Sequence, residues 1–121
     1  MTIKQDLLDL EKQFWTGDDA FYRQHLDDKC LVAFTEMAGV MSKEDIAGMI
    51  KKDPQRWTDL RLEEKGFVEP ADGVALLSYR ASARRGNGAP YHAVVTSGYV
   101  KRNGAWKMAF HQQTPVETVE V

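Results

Sequence analysis

Cysteine is almost missing from this sequence: of 121 residues, Cys30 is the only one. A lone thiol excludes an internal disulfide and any cysteine-based zinc cage, and it points to a reducing, cytoplasmic setting. Excess charge of either sign is missing too. Sixteen basic against eighteen acidic residues leave a formal charge of −2, without the basic surplus of a nucleic-acid binder. No apolar run has the length of a membrane span, and the opening Met1-Thr2-Ile3-Lys4-Gln5-Asp6 lacks the character of a signal peptide. There is no internal repeat, low-complexity tract or linker, so residues 1–121 are expected to form a single domain. What is present is 43% hydrophobic and 28% charged, the mixture of a globular domain that can bury a core.

The first half reads as helical. Thr2 and Gln5 have the spacing of a capping box, and Ile3, Leu7, Leu10 and Phe14 recur at helical intervals, with Leu8 and Trp15 widening the stripe. Gly17 stops that helix, and Asp18 caps a short second one carrying Phe21, Tyr22 and Leu26. The segment 30–35 suits a strand by its β-branched and aromatic content. Ser42 and Asp45 start a third helix that Asp53-Pro54 ends.

From Trp57 onward the period is two, with strands expected at 58–69, 74–85, 90–102 and 105–113. Asn103-Gly104 is a strong hairpin signal, because both central residues of a type I′ turn need positive φ. A two-residue loop there pairs Tyr99 with Met108 and Ser97 with Phe110. One face then carries Tyr91, Ser97, Tyr99, Met108, Phe110 and Gln112, while His92 and His111 share the other. Helices first and an antiparallel meander afterwards indicate an α+β fold, the helices packed on one face of a curved sheet.

This order of elements resembles the nuclear transport factor 2-like superfamily. The stretch from Leu7 to Gly17-Asp18 resembles its opening helix and Gly-Asp break. The tail from Ser97 to Pro115 resembles the closing hairpin of the SnoaL-like domain-of-unknown-function 4440 group, within the ketosteroid-isomerase-like proteins. The resemblance implies a cone-shaped α+β barrel with three N-terminal helices on a curved, mostly antiparallel sheet. It further implies an apolar pocket and a homodimer through the convex sheet face. The chemistry of ketosteroid isomerase does not carry over. Aligned on the Gly-Asp break, its general base falls on Phe34, its helix-1 tyrosine near Leu10, and its oxyanion aspartic acid near Thr96 or Ser97.

Pocket-lining candidates are Phe14, Trp15, Phe34, Trp57 and Met108 as apolar bulk. Tyr79, Tyr91, Ser97, Tyr99 and Gln112 are the polar candidates on the aromatic side. Each phenol can orient a ligand carbonyl or satisfy a protein partner, and Gln112 can do either as well. Glu36 follows the first strand and is either a base at the pocket mouth or a solvated loop residue. His111 is an interface residue, or a base if the face assignment is inverted.

On the expected register His92 and His111 stand about 13 Å apart at ~3.3 Å per residue, too far for one metal ion. No metal or cofactor is expected. Adjacent acids such as Asp27-Asp28 diverge, and Gly86-Asn87-Gly88 opens no helix and makes no phosphate loop. Two functions from different classes remain. One is binding of a small apolar molecule in the barrel, with isomerase-, cyclase- or hydrolase-type acid–base chemistry. The other is a non-catalytic association domain whose cavity is filled by its own side chains. No nucleic-acid or membrane partner is expected.

Overall fold

The computed structural model describes residues 2–53 and 55–117. Helix α1 (Ile3–Thr16) begins where Thr2 Oγ1 accepts the Gln5 N–H at 3.1 Å. Helix α2 (Asp19–His25) begins where Asp18 accepts the Phe21 N–H, and α3 (Lys43–Lys52) where Ser42 accepts the Asp45 N–H. All three caps are those expected from sequence, because a short side-chain oxygen satisfies an orphan donor wherever it stands. The third helix ends at Lys52 with Asp53 as its cap; Pro54 lies outside the described residues.

Gly17 ends α1 with φ −83°, so a left-handed cap is not its purpose. A Cβ there would lie 2.6 Å from the Gln13 carbonyl oxygen and 3.2 Å from Phe21 Cβ, so the break needs a residue with no side chain.

Six strands form one sheet in the order β2-β1-β6-β5-β4-β3: β1 (Leu26–Phe34), β2 (Met37–Ser42), β3 (Thr58–Ala71), β4 (Val74–Arg84), β5 (Tyr91–Arg102) and β6 (Ala105–Pro115). All neighbours are antiparallel except β1 and β6. The meander falls within two residues of the expected bounds. The Asn103-Gly104 turn has φ 51° and 82°, as a type I′ hairpin requires. Two elements differ from expectation. The first strand starts at Leu26, which the sequence placed in α2, and β2 was not foreseen. Met37-Ala38-Gly39-Val40-Met41-Ser42 has weak strand propensity and is held by pairing with β1, from Lys29–Ser42 to Phe34–Met37.

The helices cover the concave face. Leu7, Phe14 and Trp15 of α1 pack with Leu77, Tyr79, Val95 and Tyr99 in the core. Over the outer half of the β5–β6 ladder the expected register fails. Tyr99 pairs with Met108 as foreseen, but Gly98 pairs with Phe110 and Ser97 with His111. Ala109 is an extra residue, a β-bulge, and beyond it every side chain of β6 changes face. Phe110 and Gln112 therefore stand on the convex side, and His111 and Gln113 on the concave side. No helix among the described residues is long and apolar enough to cross a membrane.

Candidate functional site

A cavity of about 260 Å³ opens between the concave sheet and the helices. Phe14, Val32, Phe34 and Met108 form part of its apolar wall, and Ile46 and Ile50 of α3 close it. Met37, Met41 and Met49 add three flexible side chains. Its polar lining comprises Tyr22, Cys30, Arg56, Arg85, His111 and Gln113.

Beside the cavity, α1 carries a fully buried carboxyl, Glu11. Glu11 Oε1 accepts from Tyr79 Oη at 2.5 Å and from Ser97 Oγ at 3.0 Å, while Oε2 accepts from Tyr99 Oη. Tyr79 Oη in turn accepts from Trp15 Nε1 at 2.9 Å. Burial first, then the neighbouring Glu11, hold the Tyr79 and Tyr99 phenols well above the ordinary tyrosine range, so both remain donors. Three hydroxyl donors on one acidic side chain satisfy a group that is costly to bury alone.

Ser97 extends this network to the cavity, its Oγ lying 2.9 Å from His111 Nδ1. Its single proton goes to Glu11, so His111 supplies the Nδ1–H of that contact. His111 Nε2 lies 3.0 Å from Gln113 Oε1, and Gln113 Nε2 donates to Tyr91 Oη at 2.9 Å. A carboxamide presents oxygen on one side and N–H on the other. Turned over, Gln113 donates to a neutral imidazole; as it stands, it accepts from a protonated one. The wall can thus hold His111 in either charge state.

At the other side, Arg56 fastens the end of α1. Its Nε donates to the Gly17 carbonyl at 2.9 Å, and its Nη2 to the Phe14 carbonyl at 2.8 Å and to Tyr22 Oη at 2.9 Å. Burial pushes the Tyr22 phenol up to about 12 against the pull of Arg56. Arg85 lies over the Trp57 ring at 4.2 Å, and Trp57 stacks on Tyr91 at 4.9 Å.

Of the residues singled out from sequence, Phe14, Phe34, Trp57, Met108 and His111 line the cavity. Trp15, Tyr79, Ser97 and Tyr99 are buried in the network beside it, and Tyr91 joins the wall through Trp57 and Gln113. Gln112 is turned away by the Ala109 bulge and donates to Thr114 Oγ1. Glu36 is exposed in the β1–β2 turn. Arg85 and Gln113 both line the cavity, whereas the sequence reads the first as solvated charge at a strand end and the second as sharing the face of His111 away from the aromatic side. Glu11 and Arg56 escaped the sequence reading. Glu11 left a trace there, an acid four residues after Leu7 and three before Phe14, on the face that must be buried. His92 stands opposite Ser82 on the convex side, away from His111. Among the described residues no three histidine, cysteine or acidic side chains converge as a metal site needs.

No family model and no curated protein matches this sequence. Solved structures do match it. An NTF2-like protein of unknown function from Prochlorococcus superposes with a TM-score of 0.80 at 14% identity, covering 98% of this chain and 97% of that one. A ketosteroid isomerase-like protein from Erwinia carotovora atroseptica gives 0.78 at 15% identity, covering 95% and 94%. An NTF2-like protein of unknown function from Shewanella oneidensis gives 0.74 at 15% identity, covering 93% and 99%. At such identities the likeness is one of fold: this chain has the NTF2-like α+β cone, the fold it shares with ketosteroid isomerase-like proteins.

Proposed function

We propose that the chain binds a small, largely apolar molecule in the cone and exchanges a proton with it through His111. The observation that carries this reading is the Glu11–Ser97–His111 series, which ends on an imidazole in the wall of an apolar cavity. Histidine is suited to such exchange because its charge changes near neutral pH; with Nδ1–H anchored on Ser97, Nε2 is the exchanging atom once a ligand displaces Gln113 from it. Isomerase-, cyclase- and hydrolase-type reactions all need such a group. A buried free thiol, Cys30, fits the reducing cytoplasm as the setting.

Native mass spectrometry, on freshly purified protein and after incubation with a library of apolar compounds, tests this. A discrete adduct that disappears in Met41→Trp, where an indole occupies the cavity, supports the reading. Equal adducts in both proteins, or none in either, sink it. His111→Gln should keep the adduct and lose its conversion.

A second property is supported by the convex face, and we propose that it pairs two copies of the chain. Val40, Leu31, Phe110, Gly98, Leu76 and Val68 are successive register partners across all six strands. Val40, Leu31 and Val68 are 64%, 48% and 56% exposed, an apolar row running from edge to edge of the sheet. A two-fold axis would set such a row against itself, as an isologous interface requires. Sedimentation velocity should give a dimer, and Leu31→Lys a monomer; a monomeric wild-type chain overturns the pairing. Pairing alone, with the cavity idle, is the alternative function, and the adduct experiment separates the two.

A further inference from the structure

We infer that the molecule taken by this cavity is an organic carboxylate: a small apolar body carrying one negative charge, which sits against Arg85 and Arg56. The inference rests on the ligand-binding reading above and names the chemical class of its ligand.

The lining supplies the first argument. Two guanidinium groups border the cavity, together with an imidazole, and among the described residues no aspartate or glutamate lines it. Apolar walls weaken the screening of charge, so a cationic patch with no acid in its lining favours an anion.

The partners of the two arginines supply the second. Arg56 spends its hydrogen bonds on two carbonyls and a phenol, which fix its position and leave its charge without an acidic partner among the described residues. Among the described residues Arg85 meets one carboxylate, Asp53, at 3.5 Å through Nη1, the two side chains being 36% and 58% exposed. Arg85 Nε is buried without any acceptor, the one such side-chain atom among the described residues. Buried donors are normally satisfied, so an Nε covered by its neighbours and left without an acceptor marks a guanidinium whose hydrogen-bonding capacity the protein has not used up. The terminal Nη edge of a guanidinium, the part of Arg85 that keeps accessible surface, matches a carboxylate in two parallel hydrogen bonds.

Geometry ties this patch to the acid–base group. The guanidinium lies on Trp57, Trp57 stacks on Tyr91, Tyr91 accepts from Gln113, and Gln113 contacts His111. A carboxylate anchored at Arg85 therefore extends its body along a wall that ends at His111. Three methionines opposite can adapt to varied bodies. At about 260 Å³ the cavity is small beside those that hold drug-sized ligands, which limits the body to about one ring or a short branched chain.

The test is calorimetric titration of the full chain with 3-phenylpropanoate and with its neutral isostere 3-phenylpropanamide. The carboxylate should bind at least about tenfold more tightly, and Arg85→Gln should lose most of that preference, Arg56 keeping the rest, with a smaller effect on amide binding than on carboxylate binding. Arg85→Lys, which keeps the charge and loses the fork, should retain more of the preference. Should Arg85→Gln not fold, the carboxylate's advantage should still shrink as salt is raised, whereas amide binding should not. An amide that binds as tightly as the carboxylate overturns the inference and leaves the cavity reading standing. Failure of both probes at millimolar concentration overturns the cavity reading itself, and the inference with it.

Discussion

Ser97 and His111 face each other across β5 and β6, with Ser97 Oγ 2.9 Å from His111 Nδ1. Ser97 gives its own proton to Glu11, so the contact holds His111 as the Nδ1–H tautomer whenever the ring is neutral. Nitrogen-15 NMR of the imidazole should find Nδ1 protonated throughout the pH titration. In Ser97→Ala the proton should move towards Nε2, the tautomer that free histidine prefers. A ring that already carries its proton on Nε2 in the wild-type chain would remove Ser97 from any positioning role.

Glu11 should be the most sensitive single position in the core. Glu11→Ala strands three buried hydroxyls at once, each worth about 1–3 kcal/mol when orphaned. Glu11→Gln keeps the volume and one acceptor, and should cost less. The triple change Glu11→Leu, Tyr79→Phe, Tyr99→Phe removes donors together with their acceptor. It should recover much of what Glu11→Ala loses, short of the Trp15 and Ser97 contacts left behind. Urea unfolding of the variants measures all three, and a Glu11→Ala protein as stable as the wild type would contradict the network.

Most of this architecture is legible in the sequence because its causes are local. Thr2, Asp18 and Ser42 satisfy backbone donors a few residues away, and Asn103-Gly104 turns the chain whatever surrounds it. The candidate site is less legible because its causes are long-range. The Ala109 bulge has no glycine or proline in its own strand, and Gly98 on the facing strand is its one trace, yet it exchanges the faces of Phe110 and His111. Glu11 sits in an apolar stripe, and the reason lies in Tyr79, Ser97 and Tyr99, more than sixty residues on. β2 likewise depends on its partner strand rather than on its own composition.

Acid should weaken the join between β1 and the β5–β6 hairpin. Arg102 donates through Nε to Asp27 Oδ1 at 3.1 Å and through Nη2 to Oδ2 at 3.0 Å, and these bonds hold the Asp27 carboxyl below its usual range. A carboxyl whose folded pKa is depressed adds stability above its unfolded pKa, and loses that contribution as pH falls through the folded one. Arg102→Met should therefore be less stable than the wild type at neutral pH. The gap should close as pH drops through and below about 4, where the carboxyl protonates in both states. Thermal unfolding of both proteins across that range is the measurement; a gap that persists at the acid end would assign the effect to packing of the Arg102 stem.

Cys30 should be almost inert while the chain is folded. Its side chain is 1% exposed, and burial, reinforced by Asp27 and Glu11, pushes the thiol up to about 12. Only the thiolate is alkylated, and an unhindered cysteine has a pKa near 8.5. At pH 8 the thiolate fraction is then lower by about three orders of magnitude, so iodoacetamide labelling followed by mass spectrometry should be slower by at least that factor than in urea. Because Cys30 also lines the cavity, an occupant should slow the residual reaction further. Labelling as fast in the folded chain as in urea would mean that the β1 wall opens readily, and a cavity bounded by it could not hold a ligand in one orientation.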